Sequence, residues 1–247
     1  MMRGNRCADD ISEHSFAIVI PAFNEAPSIG RVLASLPALP SLNVIVVDNG
    51  STDGTADIAK GHGAIVIREA EKGYGAACLA GIREAEAHSP NVIIFIDADA
   101  SDDPGDITRL LAELFQKDLD LVIGSRTRGT NEPGALPFHA CLGNIFVTWV
   151  LYWRYGYRFT DLGPLRVIRT EALKALEMND RNFGWTVEMQ AKALHKGLRV
   201  GEVPVSYRVR TGKSKISGTV KGSILAGYKI FLVTAKYCFA PRKKAEL

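Results

Sequence analysis

The stretch N-V-I-I-F-I-D-A-D-A-S-D-D-P, residues 91–104, decides the fold. Val92–Ile96 is an apolar run too short for a helix and mostly β-branched, so it reads as a buried strand. It stops at Asp97, and Asp99 follows two residues later. On extended backbone that spacing puts both carboxylates on one side of the chain. Two like charges so close repel unless something positive lies between them, and a divalent cation is the usual answer. Asp102 and Asp103 have a plainer reading as capping residues. Asp103 before Pro104 has the form of an N-cap with proline at the first helical position, and Asp106 adds charge to the first turn.

Outward from this strand, strands and helices alternate. Phe16–Ile20 is a strand ended by Pro21, and Pro27–Leu36 has Ile29, Val32, Leu33 and Leu36 at helical spacing. Val44–Val47 is a second strand, closing at Asp48-Asn49-Gly50-Ser51, and Thr52 or Asp53 caps a short helix through Lys60. Ala64–Ile67 is a strand and Tyr74–Ala87 a helix; beyond the opening stretch come a helix, Pro104–Phe115, and a strand, Leu119–Ile123. This alternation predicts an α/β fold, a mainly parallel sheet covered on both faces by helices. Ligands of such sheets gather at the carboxyl ends of the strands. Pro21–Glu25, Asp48–Asp53 and Asp97–Asp103 each follow a strand directly, so three acid-bearing loops are expected on one rim.

The 247 residues suffice for one large domain, and a net charge of +3 does not indicate nucleic-acid binding. Cys7, Cys78, Cys141 and Cys238 are far apart and form no C-x-x-C pair, which argues for a reducing compartment and against a zinc cluster. The N-terminus lacks an apolar signal core, and no run approaches about 20 apolar residues, so no membrane span is expected. Two nucleotide motifs fail. Gly73-Tyr74-Gly75 begins a G-x-G-x-x-G, but Cys78 stands at the next glycine; Gly212-Lys213-Ser214 has Tyr207 where a Walker loop needs its first glycine.

F-A-I-V-I-P-A-F-N-E (16–25), V-I-V-V-D-N-G-S-T-D-G-T (44–55), K-G-Y-G-A-A (72–77), D-A-D-A-S-D-D-P (97–104) and V-I-G-S-R (122–126) resemble, in order and spacing, family 2 glycosyltransferases of the GT-A fold. T-D-L-G-P-L-R (160–166) and E-V-P-V-S-Y-R-V-R-T-G-K-S-K-I-S-G-T (202–219) are similar to the dolichol-phosphate mannose synthase and polyprenyl-phosphate glycosyltransferase branch. The resemblance implies a Rossmann-like GT-A sheet. It also implies that Pro21, Phe23, Glu25 and Asp48, with Ala98, face the nucleotide sugar, and that Asp97 and Asp99 form the D-x-D pair around Mg²⁺ or Mn²⁺. Such a cation screens the leaving diphosphate. Asn49 stands where the family often has a second aspartate, and Ser101 where mannose synthases often carry glutamine.

Arg126 directly follows a strand on the same rim and suits phosphate oxygens. Arg208, Arg210, Lys213, Ser214 and Lys215 form a basic segment able to fold over phosphate and exclude water. His139–Trp153, rich in Trp and Tyr, suits an interface where a lipid enters or else a buried core helix. Leu165–Ile168 returns as a strand and Trp185–Lys196 as a helix. In Thr219–Phe239, Lys221, Lys229 and Lys236 fall within roughly 80° on a helical projection. That predicts a C-terminal amphipathic helix, an interfacial anchor or a partner-subunit contact in a homo-oligomer.

The expected layout is a flexible N-terminus (1–14), a catalytic domain (15–218) and a docking helix with basic tail (219–247). The expected activity is metal-dependent, inverting transfer from a UDP-glucose or GDP-mannose type donor to a lipid, polyprenyl phosphate, by a cytoplasmic protein peripheral on the inner membrane face. That acceptor is already anionic; a hydroxyl acceptor would need a base, for which Glu188 and Asp161 are the candidates. The rivals are a sugar nucleotidyltransferase, whose glycine-rich first loop is here P-A-F-N-E, and a non-catalytic membrane-associated nucleotide-sugar-binding module.

Overall fold

The computed structural model describes residues 11–212 and 220–239, and the side chains of these apart from 138–140, 220–226 and 239. The first half runs β1 (Phe16–Ala22), α1 (Ile29–Ala34), β2 (Leu42–Asp48), α2 (Thr55–Gly61), β3 (Ile65–Arg68), α3 (Tyr74–Ala87) and β4 (Val92–Phe95). A 3₁₀ turn (Pro104–Asp106) leads into α4 (Ile107–Gln116), followed by β5 (Leu121–Ser125), α5 (Phe138–Tyr155), β6 (Arg166–Arg169) and α6 (Thr170–Leu176). Last come α7 (Trp185–His195), β7 (Val200–Pro204) and α8 (Val220–Phe239). Of the expected terminal segments, residues 1–10, 219 and 240–247 lie outside the described residues, and 220–239 form α8.

All of Val92–Phe95 is fully buried, at about 1.5–3 kcal/mol for each large side chain. Alternate residues feed opposite layers. Ile93 and Phe95 join a core with α3, α5, α7 and α8, while Val92 and Ile94 join another with α1, α2 and α4. The seven strands are ordered β3-β2-β1-β4-β6-β5-β7. The sheet is mainly parallel, as expected; β6 alone runs antiparallel to its neighbours β4 and β5.

Local chemistry sets the helix starts. Asp103 caps the 3₁₀ turn, accepting the Gly105 N–H at 3.0 Å ahead of Pro104, and Asp53 Oδ1 accepts the Thr55 N–H at 3.0 Å where α2 begins. α3 lies directly on β1 and β2 because Gly81 has no side chain. A β-carbon there would run into Val19 and sit 3.1 Å from Val47 Cγ2. Gly81→Val is therefore expected to lower stability by about 2–3 kcal/mol in urea unfolding. Gly143→Ala, in the solvent-open interior of α5 with nothing within 4 Å, should instead raise it by up to about 1 kcal/mol.

Candidate active site

β1 lies between β2 and β4, so the strand order reverses there and a crevice opens at their carboxyl ends. It holds a cavity of about 340 Å³. Pro21 lines it from the end of β1, Phe23 and Glu25 from the loop after β1, and Asp97, Ala98 and Asp99 from the loop after β4. Lys72 and Tyr74 at the start of α3, with Asn182 and Phe183 ahead of α7, form the far side; Arg210 reaches in from the segment after β7. Because β6 is antiparallel, its lead-in at Asp161 meets the ends of β5 and β7 on this same rim.

The segment after β7 lies across the aspartate loop. Arg208 N–H donates to the Ser101 carbonyl at 2.8 Å and Thr211 N–H to the Asp99 carbonyl at 3.0 Å. Arg210 Nη2 donates to Glu25 Oε1 at 3.0 Å and lies 3.4 Å from Asp99 Oδ2. Asp99 Oδ1 accepts the Ser101 N–H at 2.9 Å across Ala100, whose φ of 61° is left-handed and costs a non-glycine residue about 1–2 kcal/mol. Asp102 is no cap. It forms a backbone bridge with Tyr207, and both its carboxylate oxygens are buried without a hydrogen-bond partner. Desolvation, then the charge on Asp97, pushes its carboxyl well above the usual range.

Several expectations meet a different arrangement. Asp161 is fully buried and accepts hydrogen bonds from Arg126 N, Nε and Nη2, Asn144 Nδ2 and Leu162 N. A carboxylate so committed has no lone pair placed for an acceptor proton, which argues against its reading as a base. The same holds for Glu188: it accepts from Asn179 N, Asp180 N and Tyr237 Oη and pairs with Lys192 at 2.9 Å, all away from the cavity lining. Arg126 spends Nε and Nη2 on Asp161 and stacks on Tyr207 at 5.0 Å. Asp48 turns Oδ1 onto the Ser51 N–H, and Arg208 pairs with Asp103 at 2.6 Å; neither lines the cavity. Lys213, Ser214 and Lys215 lie outside the described residues.

Sequence reasoning gave no role to Lys72, Tyr74, Asn182 or Phe183. The K-G-Y-G text was visible, but Asn182-Phe183 carries no local signal, since that loop reaches the cavity by crossing Gly73 and Gly75. Asn49 is a clamp: its Nδ2 donates to the Glu69 and Glu71 carbonyls and its Oδ1 accepts the Gly73 N–H at 2.8 Å. An aspartate there could not donate.

The glycosyl transferase family 2 profile matches residues 17–176. An uncharacterized glycosyltransferase of Mycobacterium tuberculosis is 43% identical over 213 residues, 85% of this chain and 93% of its own length. The chain belongs to glycosyl transferase family 2. The undecaprenyl-phosphate mannosyltransferase of Micrococcus luteus is 31% identical to this glycosyltransferase over 235 residues, 89% of this chain and 94% of its own. The crystal structure of glucosyl-3-phosphoglycerate synthase from M. tuberculosis, in complex with Mn²⁺, UDP and glucosyl-3-phosphoglycerate, matches with a TM-score of 0.74 at 20% identity. It covers 95% of this glycosyltransferase and 84% of that chain, and shows the GT-A fold.

The cavity of this glycosyltransferase suits a hard cation. Its donors are carboxylate oxygens, and desolvation, then the charge on Asp99, pushes the Asp97 carboxyl up to about 7. Among the described residues no cluster of three or more His, Cys, Asp or Glu forms, so two protein carboxylates would share the cation with diphosphate oxygens. The raised value also predicts a pH effect. Between the usual carboxylate range and about 7, folded Asp97 keeps a proton that the unfolded chain has released, so stability falls as pH rises through that window. In EDTA, Asp97→Asn is expected to unfold about 2–6 °C above wild type at pH 8, with the gap narrowing as pH falls below about 7 and closing only near the usual carboxylate range in thermal scans.

Proposed function

We propose that this glycosyltransferase moves a sugar, with inversion and with Mg²⁺ or Mn²⁺, from a nucleotide-diphosphate sugar to polyprenyl phosphate at a membrane surface. The observation that carries the reading is the meeting of Asp97, Asp99, Glu25 and Arg210 over one cavity at the strand ends. Asp97 and Asp99 would hold the cation, which when bound neutralises charge on the leaving diphosphate. Pro21, Phe23, Glu25 and Ala98 wall the donor side, with Lys72 Nζ 5.6 Å over the Phe23 ring. Arg210, already facing two carboxylates, is placed to exchange one of them for a phosphate oxygen. Arg126 keeps the rim rigid through Asp161, and Lys213, Ser214 and Lys215 are kept as the candidate contacts to the acceptor phosphate. An anionic acceptor oxygen needs no base, which agrees with the commitment of Asp161 and Glu188 elsewhere.

The lipid acceptor is supported by the relative named for undecaprenyl phosphate and by an exposed apolar face. On α5, Ile145, Trp149 and Trp153 are 63%, 62% and 73% exposed, and Phe146 stacks on Phe231 of α8 at 6.5 Å. A groove of about 400 Å³ runs beside them, lined by Thr127, Ile145, Trp149, Tyr152 and Arg158. No described helix is long and apolar enough to cross a membrane, so this face would rest on the lipid surface.

The decisive experiment offers UDP- and GDP-sugars with Mn²⁺ to undecaprenyl phosphate and, separately, to 3-phosphoglycerate, with products read by mass spectrometry and anomeric configuration by NMR. A hexosyl lipid phosphate is expected, and Asp99→Asn should lower its rate at least about 100-fold. Transfer to the soluble acceptor alone would overturn the lipid reading. Trp153→Ser, outside the groove lining, should weaken co-sedimentation with anionic vesicles several-fold, while leaving turnover of a short, water-soluble isoprenyl phosphate unchanged.

A further inference from the structure

We propose that Tyr74 is a positioning residue for the metal-binding carboxylate: its hydroxyl holds one oxygen of Asp97 so that the other faces the cation. This rests on the reading that Asp97 and Asp99 hold a divalent cation. Tyr74 Oη donates to Asp97 Oδ1 at 3.0 Å, and both residues line the cavity. A carboxylate bound through one fixed oxygen loses less freedom on taking up a metal than one that rotates.

The chain invests several features in fixing this phenol. Tyr74 is the first residue of α3 and stands between Gly73 and Gly75. The 180–182 loop crosses so close that a β-carbon at Gly73 would run into the Arg181 carbonyl, and one at Gly75 into the Asp180 carbonyl. The Ala76 N–H donates to the Arg181 carbonyl at 2.8 Å and locks the crossing. The Tyr74 ring meets Trp185 edge-on, with centroids 6.0 Å apart at 69°. Trp185, fully buried, meets Phe95 at 4.7 Å and has the Arg166 guanidinium over its ring at 5.7 Å. Packing thus holds the ring from two elements, leaving the hydroxyl little choice of partner.

Arg166 is fully buried at the start of β6, its Nη groups bonded to the Thr186 and Gly163 carbonyls. Its charge stands behind the aromatic layer and opposes the charge on Asp97 without touching it. Desolvation, then the Asp97 charge, pushes the Tyr74 phenol well above its ordinary range, so it stays a donor at neutral pH. The arrangement runs from a buried cation through two aromatic rings to one carboxylate oxygen.

Tyr74→Phe removes the hydroxyl and keeps the ring. Mn²⁺ binding to wild type, Tyr74→Phe and Asp97→Asn would be titrated by EPR, alone and with UDP or GDP, alongside thermal unfolding. The expected result is about 10–100-fold weaker Mn²⁺ binding in Tyr74→Phe, with an unfolding midpoint near that of wild type. In turnover, the apparent constant for Mn²⁺ should rise by the same factor while the rate at saturating Mn²⁺ changes less than about threefold. Wild-type Mn²⁺ affinity in Tyr74→Phe, with binding lost in Asp97→Asn, would overturn the role of Tyr74 and leave the metal reading standing. Equal Mn²⁺ binding by wild type and Asp97→Asn would overturn both.

Discussion

One buried carboxylate organises the rim. Taking a charge out of water costs several kcal/mol, and Asp161, fully buried, offsets that cost with a two-point ion pair to Arg126 and further N–H donors. Its main chain is held as firmly, with its carbonyl accepting from Gln190 of α7 and its N–H facing Glu202 of β7. Asn144 of α5 reaches the same carboxylate. Arg126, fixed in turn, carries the Tyr207 ring, whose backbone leads into the segment that lies over Asp99. Removing one partner from such a pair leaves an uncompensated buried charge, a penalty of about 3–5 kcal/mol. Four elements therefore take their places around a residue that does not itself line the cavity.

Features that cost stability gather at the same rim. Asp97 and Asp99 repel each other, Ala100 is left-handed, and Asp102 buries two oxygens without partners. Arg166 Nε, Trp185 Nε1 and Arg210 Nε, also buried without partners, all belong to the cavity or to the layer behind it. Each unsatisfied group costs about 1–3 kcal/mol, and natural sequences tolerate such costs mainly at functional sites. The central strands β1 and β4 show the opposite pattern, with their residues buried throughout and paired in register.

How far the sequence could be read follows from how local each determinant is. Tyr74–Ala87 and Val92–Phe95 carry their own periodicity, and both were legible. α6 is seven residues long, and V-G-E-V-P of β7 reads as loop; β7 is a strand because its register with β5 makes it one. At the site, the place of Asp97, Asp99 and Glu25 on one rim was legible because each lies in a loop that follows a strand, and topology alone brings strand ends together. Asp161 and Glu188, the candidate bases for a hydroxyl acceptor, are committed to other partners. Their state is set by partners far along the chain, Arg126 35 residues away and Tyr237 49 residues away. No period or motif reports such pairings, and a carboxylate that is free to react looks identical in sequence to one that is saturated.

The two helices with exposed apolar faces are tied to this rim by their inward faces. α5 turns Asn144, Val147, Thr148 and Leu151 inward at helical spacing, and Asn144 holds Asp161. α8 sends Lys229, whose side chain remains partly exposed, to the buried Asp180 at 3.0 Å. Asp180 Oδ1 accepts the Asn182 and Gly184 N–H groups and so shapes the loop that brings Asn182 and Phe183 to the cavity. A helix packs as a rigid rod, and a shift that re-seats its outer face carries its inner side chains along. A surface that covers Trp149 and Phe231 would therefore bear on Arg126 through Asn144 and Asp161, and on the far wall of the cavity through Lys229 and Asp180. The groove beside α5 and the cavity at the strand ends are separate pockets, but the helices between them make their geometries one mechanical problem.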